Sequence, residues 1–288
     1  MPELPEVEIV KQSLSKKIKH KKIQKIIIKN RNLRFKLANN FSRILKSSKV
    51  KNISRFSKYL IIELDNNYFW IIHLGMSGTL HIIQKNKKNL VSNLSFYHSP
   101  NLPNKHNHIH IFFDKFKLIY NDPRRFGFFI LIKNKNILEK FLSNYGPEPF
   151  DKKFNFIYLK KKLHNKSKNI KNYLLDQKFV SGIGNIYASE ILFLAKIHPL
   201  RESKSLNLIE YKKIIYFSKK VLSKAISKGG SSIQNFKNSS GKKGSFQKYF
   251  QVYDRDGEKC LSKKCNGVVK KKVISNRSSF YCNICQKF

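Results

Sequence analysis

The chain reads as an α+β protein of more than one domain: a leading helix, a β-rich first half, a helical middle and a small cysteine-bearing module at the end. Three observations give this order. Apolar residues recur at helical spacing at the start and again after residue 150. Between Ile23 and about Ile132 they come in short β-type runs, separated by turns rich in Asn, Gly, Pro and Lys. All four cysteines, Cys260, Cys265, Cys282 and Cys285, fall near the C-terminal end.

Residues 3–19 are expected to form the leading helix. Val7, Val10, Leu14 and Ile18 share one face, and Glu3, Glu6 and Glu8 sit at the end where the helix dipole favours acids. The runs KIIIK, YLIIEL, YFWIIHLG, HIHIFF, KLIYND and FGFFILI follow, and strands at this spacing predict a sandwich or a barrel. The polar stretch Gln84–Asn107 reads as an irregular loop. YGPEPF at 145–150 reads as a linker, because its prolines and glycine resist regular structure. FIYLKKKLHN, NIKNYLLDQ, GNIYASEILFLA and LIEYKKIIYFSKKVLSKAIS read as helices through about Lys228. Gly229–Gly244 has little to bury and is expected to be a mobile loop. In 249–288 two short strands would flank a turn near Ser275–Ser278. The expected domains are thus 2–133, a linker over 134–150, 151–248 and 249–288. No internal repeat is visible.

The 288 residues include 59 Lys+Arg against 17 Asp+Glu, a formal net charge of +42. Solubility does not need such an excess, which raises self-repulsion. Lys, Asn and Ile crowd the whole chain, as drift in an AT-rich genome produces, so the sign of the charge carries more meaning than its size. A polyanion partner follows, nucleic acid first and an anionic membrane second. No run is long or apolar enough to cross a bilayer and the start has no signal-peptide pattern, so a soluble intracellular protein is expected. Disulfides do not persist in a reducing cytosol. Two cysteine pairs with sixteen residues between them instead match one tetrahedral zinc site on a hairpin.

The chemistry starts at MPELPEVE. Once Met1 is removed, Pro2 offers a terminal secondary amine followed by the carboxylates Glu3 and Glu6. An α-amino group titrates near ~8, well below a lysine at ~10, so a useful fraction is neutral and nucleophilic. The plainer reading is a proline in the first turn of an acid-capped helix. NDPRRFG (121–127) sets Arg124, Arg125 and Phe126 in a turn suited to bases or phosphates, or else a salt-bridged turn with a core phenylalanine. IIHLGMSG (71–78) ends a strand in a turn that exposes Met76, unless that methionine is core. SGIGNIYASE (181–190) could hold a phosphate through helix N–H groups and Asn185, or be a packing turn. His106, His108 and His110 alternate, and are expected to lie on an ordinary polar strand edge rather than to bind metal. Lys58 reads as solvated surface, and Arg277 lies in the turn of the cysteine hairpin.

Taken together, PELPEVE, KYLIIEL, IHLGMSG, DPRRFG, YGPEP, GIGNIYASE, QVYDRDGE and RSSFYCNICQK resemble formamidopyrimidine-DNA glycosylase nearly end to end. Each motif is modest alone; their joint order is highly specific. Leu4 favours this family over the related endonuclease VIII, which usually begins PEGPE. The resemblance implies an N-terminal β-sandwich with its helix, a domain with a helix–two-turns–helix motif, a C-terminal β-hairpin zinc finger, and DNA in the cleft between domains. It implies a base-excision repair enzyme that removes oxidised purines from double-stranded DNA, then acts as an abasic-site lyase by β,δ-elimination. Pro2 would attack the sugar, with Glu3 as general acid and Glu6 assisting proton transfers. Lys58, Asn185 and Arg277 would grip phosphates, with Arg125, Lys171 and His73 as further DNA contacts. Met76, Arg124 and Phe126 would fill the space left by the extruded nucleotide. One structural zinc ion, monomeric action and a bacterial cytoplasmic, nucleoid-associated location complete the expectation. The competing readings are a glycosylase for oxidised pyrimidines and a non-enzymatic zinc-containing nucleic-acid binder. Two departures stand out: four residues, Leu261–Lys264, separate the first cysteines where the family usually has two, which predicts a looser knuckle. Gln234 replaces a basic residue common in the lesion loop.

Overall fold

Helix α1 (Leu4–Ile18) forms almost where the apolar spacing places it. Its buried face carries Leu4, Val7, Val10, Leu14 and Ile18, and each such side chain contributes about 1.5–3 kcal/mol on leaving water. The computed structural model describes residues 1–84, 91–93, 104–231 and 245–288. These divide into two units: unit 1 holds Met1–Ser143 and Ile226–Gln247, unit 2 holds Asn144–Ala225 and Lys248–Phe288.

In unit 1, α1 is followed by β1 (Lys25–Ile28), α2 (Phe41–Leu45), β2 (Val50–Phe56), β3 (Tyr59–Leu64), β4 (Phe69–His73), β5 (Thr79–Gln84), β6 (Val91–Asn93), β7 (Asn107–Phe112), β8 (Phe116–Asn121), β9 (Phe128–Ile132) and α3 (Lys135–Leu142). The strands make two antiparallel sheets, in the orders β1-β7-β8-β5-β6 and β2-β3-β4-β9. Leu80, Ile82, Ile109, Ile111, Leu118 and Tyr120 of the first share one core with Ile53, Leu60, Ile62, Trp70, Ile72 and Phe129 of the second. Val7, Val10, Leu14 and Ile18 of α1 join that core. This is a two-sheet sandwich, and among the described residues neither sheet closes on itself, which disfavours the barrel alternative.

Several elements differ from the sequence expectation. β2 escapes the apolar pattern because four of its seven residues, VKNISRF, are polar and only Val50 and Ile53 are buried. Helix α3 lies inside the expected linker 134–150; it buries only Leu138, and is started by Asn134, whose side chain accepts the Ile137 N–H. The expected loop Gln84–Asn107 begins on the last residue of β5, ends on the first of β7 and holds β6 and a short 3-10 turn, Asn104–His106, with 85–90 and 94–103 outside the described residues. The expected loop Gly229–Gly244 also lies outside them from residue 232 onward. The three histidines need correction. β7 runs between β1 and β8, so it is no edge, and His106 precedes it in the 3-10 turn. His108 Nε2 meets the Asp122 carbonyl at 2.8 Å.

Unit 2 contains α4 (Phe156–Leu163), α5 (Ile170–Leu175), α6 (Asn185–Ala195), all but the last two residues of α7 (Leu208–Ser227) and the hairpin β10 (Val269–Ile274) with β11 (Arg277–Cys282). Asn155 and Asn169 cap α4 and α5 through their side chains. The α5–α6 connection is zipped by Gln177, whose amide donates to the carbonyls of Leu175 and Ile183 and accepts the Gly182 N–H. The hairpin turn is two residues, Ser275 and Asn276, both with positive φ, which matches the twist of the strands. Phe193 of α6 packs with Val252, Val269 and Phe280 beneath two of the cysteines. No described helix is long and apolar enough to cross a membrane.

Candidate active site

At the start of unit 1, Glu3 is the N-cap of α1 and Pro2 lies just outside the helix. Glu6 turns back, and its Oε2 accepts the Glu3 N–H at 2.9 Å. Its other oxygen, Oε1, accepts both the N–H and the hydroxyl of Ser231 at 3.0 Å. Glu6 is therefore occupied from both sides and fixes the backbone that follows Pro2. Glu3 and Glu6 are both buried.

Lys58 sits at the tip of the β2–β3 hairpin. Its neighbour Ser57 takes a left-handed φ of 54°, and its carbonyl is held by Arg55, which also pairs with Glu8. Only 5% of Lys58 is exposed. Lys58 and Lys171 are the two lysines buried among the described residues, which corrects the reading of Lys58 as solvated surface. Nearby His73 accepts the Gly75 N–H on Nδ1 and stacks on Phe128. Burial first, then the charges of Lys58, Arg34 and the amino terminus, lower its pKa to about 4. A neutral imidazole with Nδ1 accepting presents Nε2–H as a donor.

Two turns of unit 1 meet beside this group. Met76 and Phe126 are both exposed, with 42% and 41% of their surface accessible, so neither is the core residue of the plainer readings. The Arg124 guanidinium lies 4.4 Å from the centre of the Phe126 ring and donates to Met76 Sδ at 3.5 Å. Arg124 therefore touches both of the side chains predicted to act with it. A cavity of about 650 Å³ is lined by Asn32, Leu33, Arg34, Arg124, Arg125 and Phe126. Arg125 stands at φ 56°, in the left-handed region that few arginines adopt.

In unit 2, Asn185 opens α6 and donates its Nδ2 to the Ser278 carbonyl at 2.8 Å. Lys171 of α5 donates to Ser279 Oγ and reaches the same carbonyl at 3.5 Å. Lys171, expected as a phosphate contact, is completely buried and braces the hairpin. Arg277, exposed at the first position of β11, borders a cavity of about 490 Å³ with Lys168, Asn172, Tyr173, Leu175, Asp176 and Ser275.

The sulfurs of Cys260, Cys265, Cys282 and Cys285 lie within 4.8 Å of one another. Cys260–Cys285 and Cys265–Cys282 are each 3.7 Å apart. A zinc–sulfur bond of about 2.3 Å sets a tetrahedral edge of about 3.8 Å, so the cage fits that ion. Backbone N–H groups of Ser262, Gly267 and Cys285 point at three of the sulfurs, as they do where thiolates are stabilised. With the four-residue spacer the four sulfurs still gather into one cage. Lys196 pins it through Ser262 Oγ at 2.6 Å.

A description of the formamidopyrimidine-DNA glycosylase N-terminal domain matches residues 1–129, and that of its H2TH domain matches residues 145–237. The formamidopyrimidine-DNA glycosylase of Rickettsia bellii is 42% identical over all of both chains. The chain belongs to the formamidopyrimidine-DNA glycosylase family. A Wolbachia relative from Drosophila simulans is 41% identical over 99% of this chain and 100% of its own. Among solved structures, a Lactococcus lactis Fpg mutant in complex with a Fapy-dG containing DNA aligns with a TM-score of 0.87 at 34% identity, covering 100% of both chains. The Lactococcus lactis Fpg complex with an abasic site containing DNA aligns equally well, over 99% of this chain. Membership makes this chain a DNA glycosylase and lyase of base-excision repair.

The sequence motifs did not single out Arg34, Ser231 or Asp122. Arg34 lies in a segment whose neighbours are equally basic, so charge alone gives no signal. Ser231 follows two glycines and is far from Glu6 in the chain. Asp122 was visible as the acid of NDPRRFG, yet only its burial distinguishes it.

Proposed function

We propose that this family member excises oxidised purines, 8-oxoguanine and formamidopyrimidines, from double-stranded DNA and then cuts the strand through an imine on Pro2. The observation that carries the reading is the held amino terminus, with Glu3 and Glu6 buried around it and Glu6 bonded on both oxygens. After Met1 is removed, the Pro2 nitrogen lone pair forms a bond to the sugar C1′ while the bond from C1′ to the base breaks. The base leaves with the electron pair and takes up a proton. Glu3, protonated, donates to the ring oxygen as the sugar opens to an iminium ion. The iminium acidifies C2′. Loss of that proton expels the 3′ phosphate, a second elimination expels the 5′ phosphate, and water releases the sugar remnant from Pro2.

In unit 1, Lys58 and the His73 Nε2–H hold backbone phosphates, while Met76, Arg124 and Phe126 occupy the gap left by the extruded nucleotide. Extrusion costs a few kcal/mol, which gap filling and backbone contacts can offset. In unit 2, Arg277 and Asn185 take phosphates, and Cys260, Cys265, Cys282 and Cys285 hold one structural zinc ion that keeps the hairpin folded. The domains are taken as 2–133, 151–248 and 249–288, with a connecting segment over 134–150. The protein acts as a monomer on the chromosome in the bacterial cytoplasm.

Borohydride reduction during turnover tests the reading. Covalent trapping on DNA containing 8-oxoguanine, mapped to Pro2, is expected. A zinc-loaded, correctly processed enzyme that gives no adduct, or an adduct on another residue, defeats it.

A further inference from the structure

Asp122 is fully buried, yet no step of the chemistry uses its carboxylate. One oxygen accepts the Ser77 hydroxyl; the other accepts the Tyr120 hydroxyl at 2.8 Å and the Gly127 N–H at 2.9 Å. Ser77, so oriented, accepts the Arg124 N–H at 3.2 Å. The Asp122 carbonyl accepts the Arg125 N–H at 3.2 Å. A buried carboxylate is expensive unless several donors meet it, and a neutral side chain would serve an ordinary core. Its donors come from the turn that carries Met76, from β8 and from the turn that carries Arg124 and Phe126.

The two turns also leave each other no slack. A Cβ on Gly75 would stand 2.4 Å from the Gly127 nitrogen. One on Gly127 would meet the Tyr120 hydroxyl at 1.9 Å, and one on Gly78 would meet it at 2.6 Å. The hydroxyl that excludes those side chains is the one bonded to Asp122.

We infer that Asp122 is a positioning residue that locks the Met76 turn against the Arg124–Phe126 turn, so that the three gap-filling side chains meet the duplex as one preformed wedge. This rests on the gap-filling reading above. Three side chains already in contact lose little freedom on binding, whereas unlocked turns would have to order as the nucleotide leaves.

The test uses the processed, zinc-loaded full chain. It compares excision of 8-oxoguanine opposite cytosine in a duplex with strand cleavage at an abasic site in a single-stranded oligonucleotide, where there is no partner strand and no gap to fill. Asp122→Asn places an N–H against donors, and is expected to slow duplex excision about tenfold to a hundredfold. Single-strand cleavage should stay within about twofold. Arg124→Ala should slow duplex excision too, and the double variant should be slower than Arg124→Ala by far less than the product of the two effects. Equal loss on both substrates, normal duplex excision by Asp122→Asn, or multiplicative effects would each overturn the assignment. Normal duplex excision by both Arg124→Ala and Met76→Ala would instead sink the gap-filling reading, and the assignment with it. Should Asp122→Asn not fold, Ser77→Ala decides. It removes one donor and leaves Tyr120 and Gly127 on the carboxylate, so about a threefold to tenfold loss on the duplex alone is expected. No loss refutes the idea.

Discussion

Replacing Glu6 by glutamine probes how the nucleophile is held. The carboxylate accepts three hydrogen bonds: the Glu3 N–H on one oxygen, and the Ser231 N–H and hydroxyl on the other. A carboxamide keeps one oxygen. Its NH2 must face either Glu3 or Ser231, so one buried backbone N–H loses its acceptor in either orientation. A hydrogen bond to a charged group is worth about 1.5–3 kcal/mol, and about 2 kcal/mol corresponds to roughly thirtyfold in rate. Glu6→Gln should therefore lower the rate of borohydride-trapped adduct formation roughly tenfold to a hundredfold, with a Tm lower by about 4–8 °C. Ser231→Ala removes the hydroxyl and keeps the backbone N–H, so about a threefold to tenfold loss is expected. Both are read by trapping on an abasic duplex, where base departure plays no part. An unchanged trapping rate for Glu6→Gln, whatever its Tm, would show that the doubly bonded carboxylate does not position the terminus.

Chelating the metal should abolish cooperative unfolding of 249–288 and weaken duplex binding by at least about tenfold; because Cys260 and Cys282 are part of the core around Phe193, no partial loss is expected. The slope of log affinity against log salt separates Arg277 from Lys171. Arg277→Ala should flatten it by about one contact, and Lys171→Ala should cost about 2–4 kcal/mol of stability with the slope unchanged. Because His73 titrates at about 4 in the fold, against an ordinary value near ~6.5, the unfolded chain binds more protons between those values. Its contribution is complete above pH ~6.5 and is lost as pH falls towards 4, so His73→Gln should shrink the stability difference between pH 7 and pH 5 by about 1–2 kcal/mol in urea unfolding.

Much of this was legible in the sequence because it depends on local pattern. The α1 stripe, the hairpin cysteines and the contact among Met76, Arg124 and Phe126 follow from spacing or from motifs whose order identifies the family. What escaped depends on which neighbour a residue meets across the fold. By composition Lys58 and Lys171 look like any other lysine of this chain; the family motifs name them, but their burial was not legible. Glu6 shows its capping role at short range, but its bond to Ser231 spans 225 positions. Helix α3 hides because one buried leucine makes no stripe, although its Asn134 cap was there to be read.

The charge that attracts DNA also bears on the nucleophile. On the proposed mechanism Pro2 attacks only as a free amine, and a positive neighbour disfavours the protonated form. Lys58 and the amino terminus both lie near enough to His73 to lower its proton affinity, so each acts within the same small region. For a separation on the order of 10 Å at an effective dielectric of about 20–40, one unit charge is worth about 1 kcal/mol, or roughly 0.5–1 pH unit. The sign is fixed: removing the cation raises the amine pKa, so more of it is protonated at a given pH. Lys58→Gln should thus move the midpoint of the trapping rate against pH upward by about 0.5–1 unit. The rate plateau should also fall, because a phosphate contact is lost. The midpoint is independent of that plateau, so the two roles separate in one experiment. A lower plateau with an unmoved or lowered midpoint would leave Lys58 as a phosphate ligand alone, and the amine would then owe its reactivity to the ordinary basicity of a terminal proline.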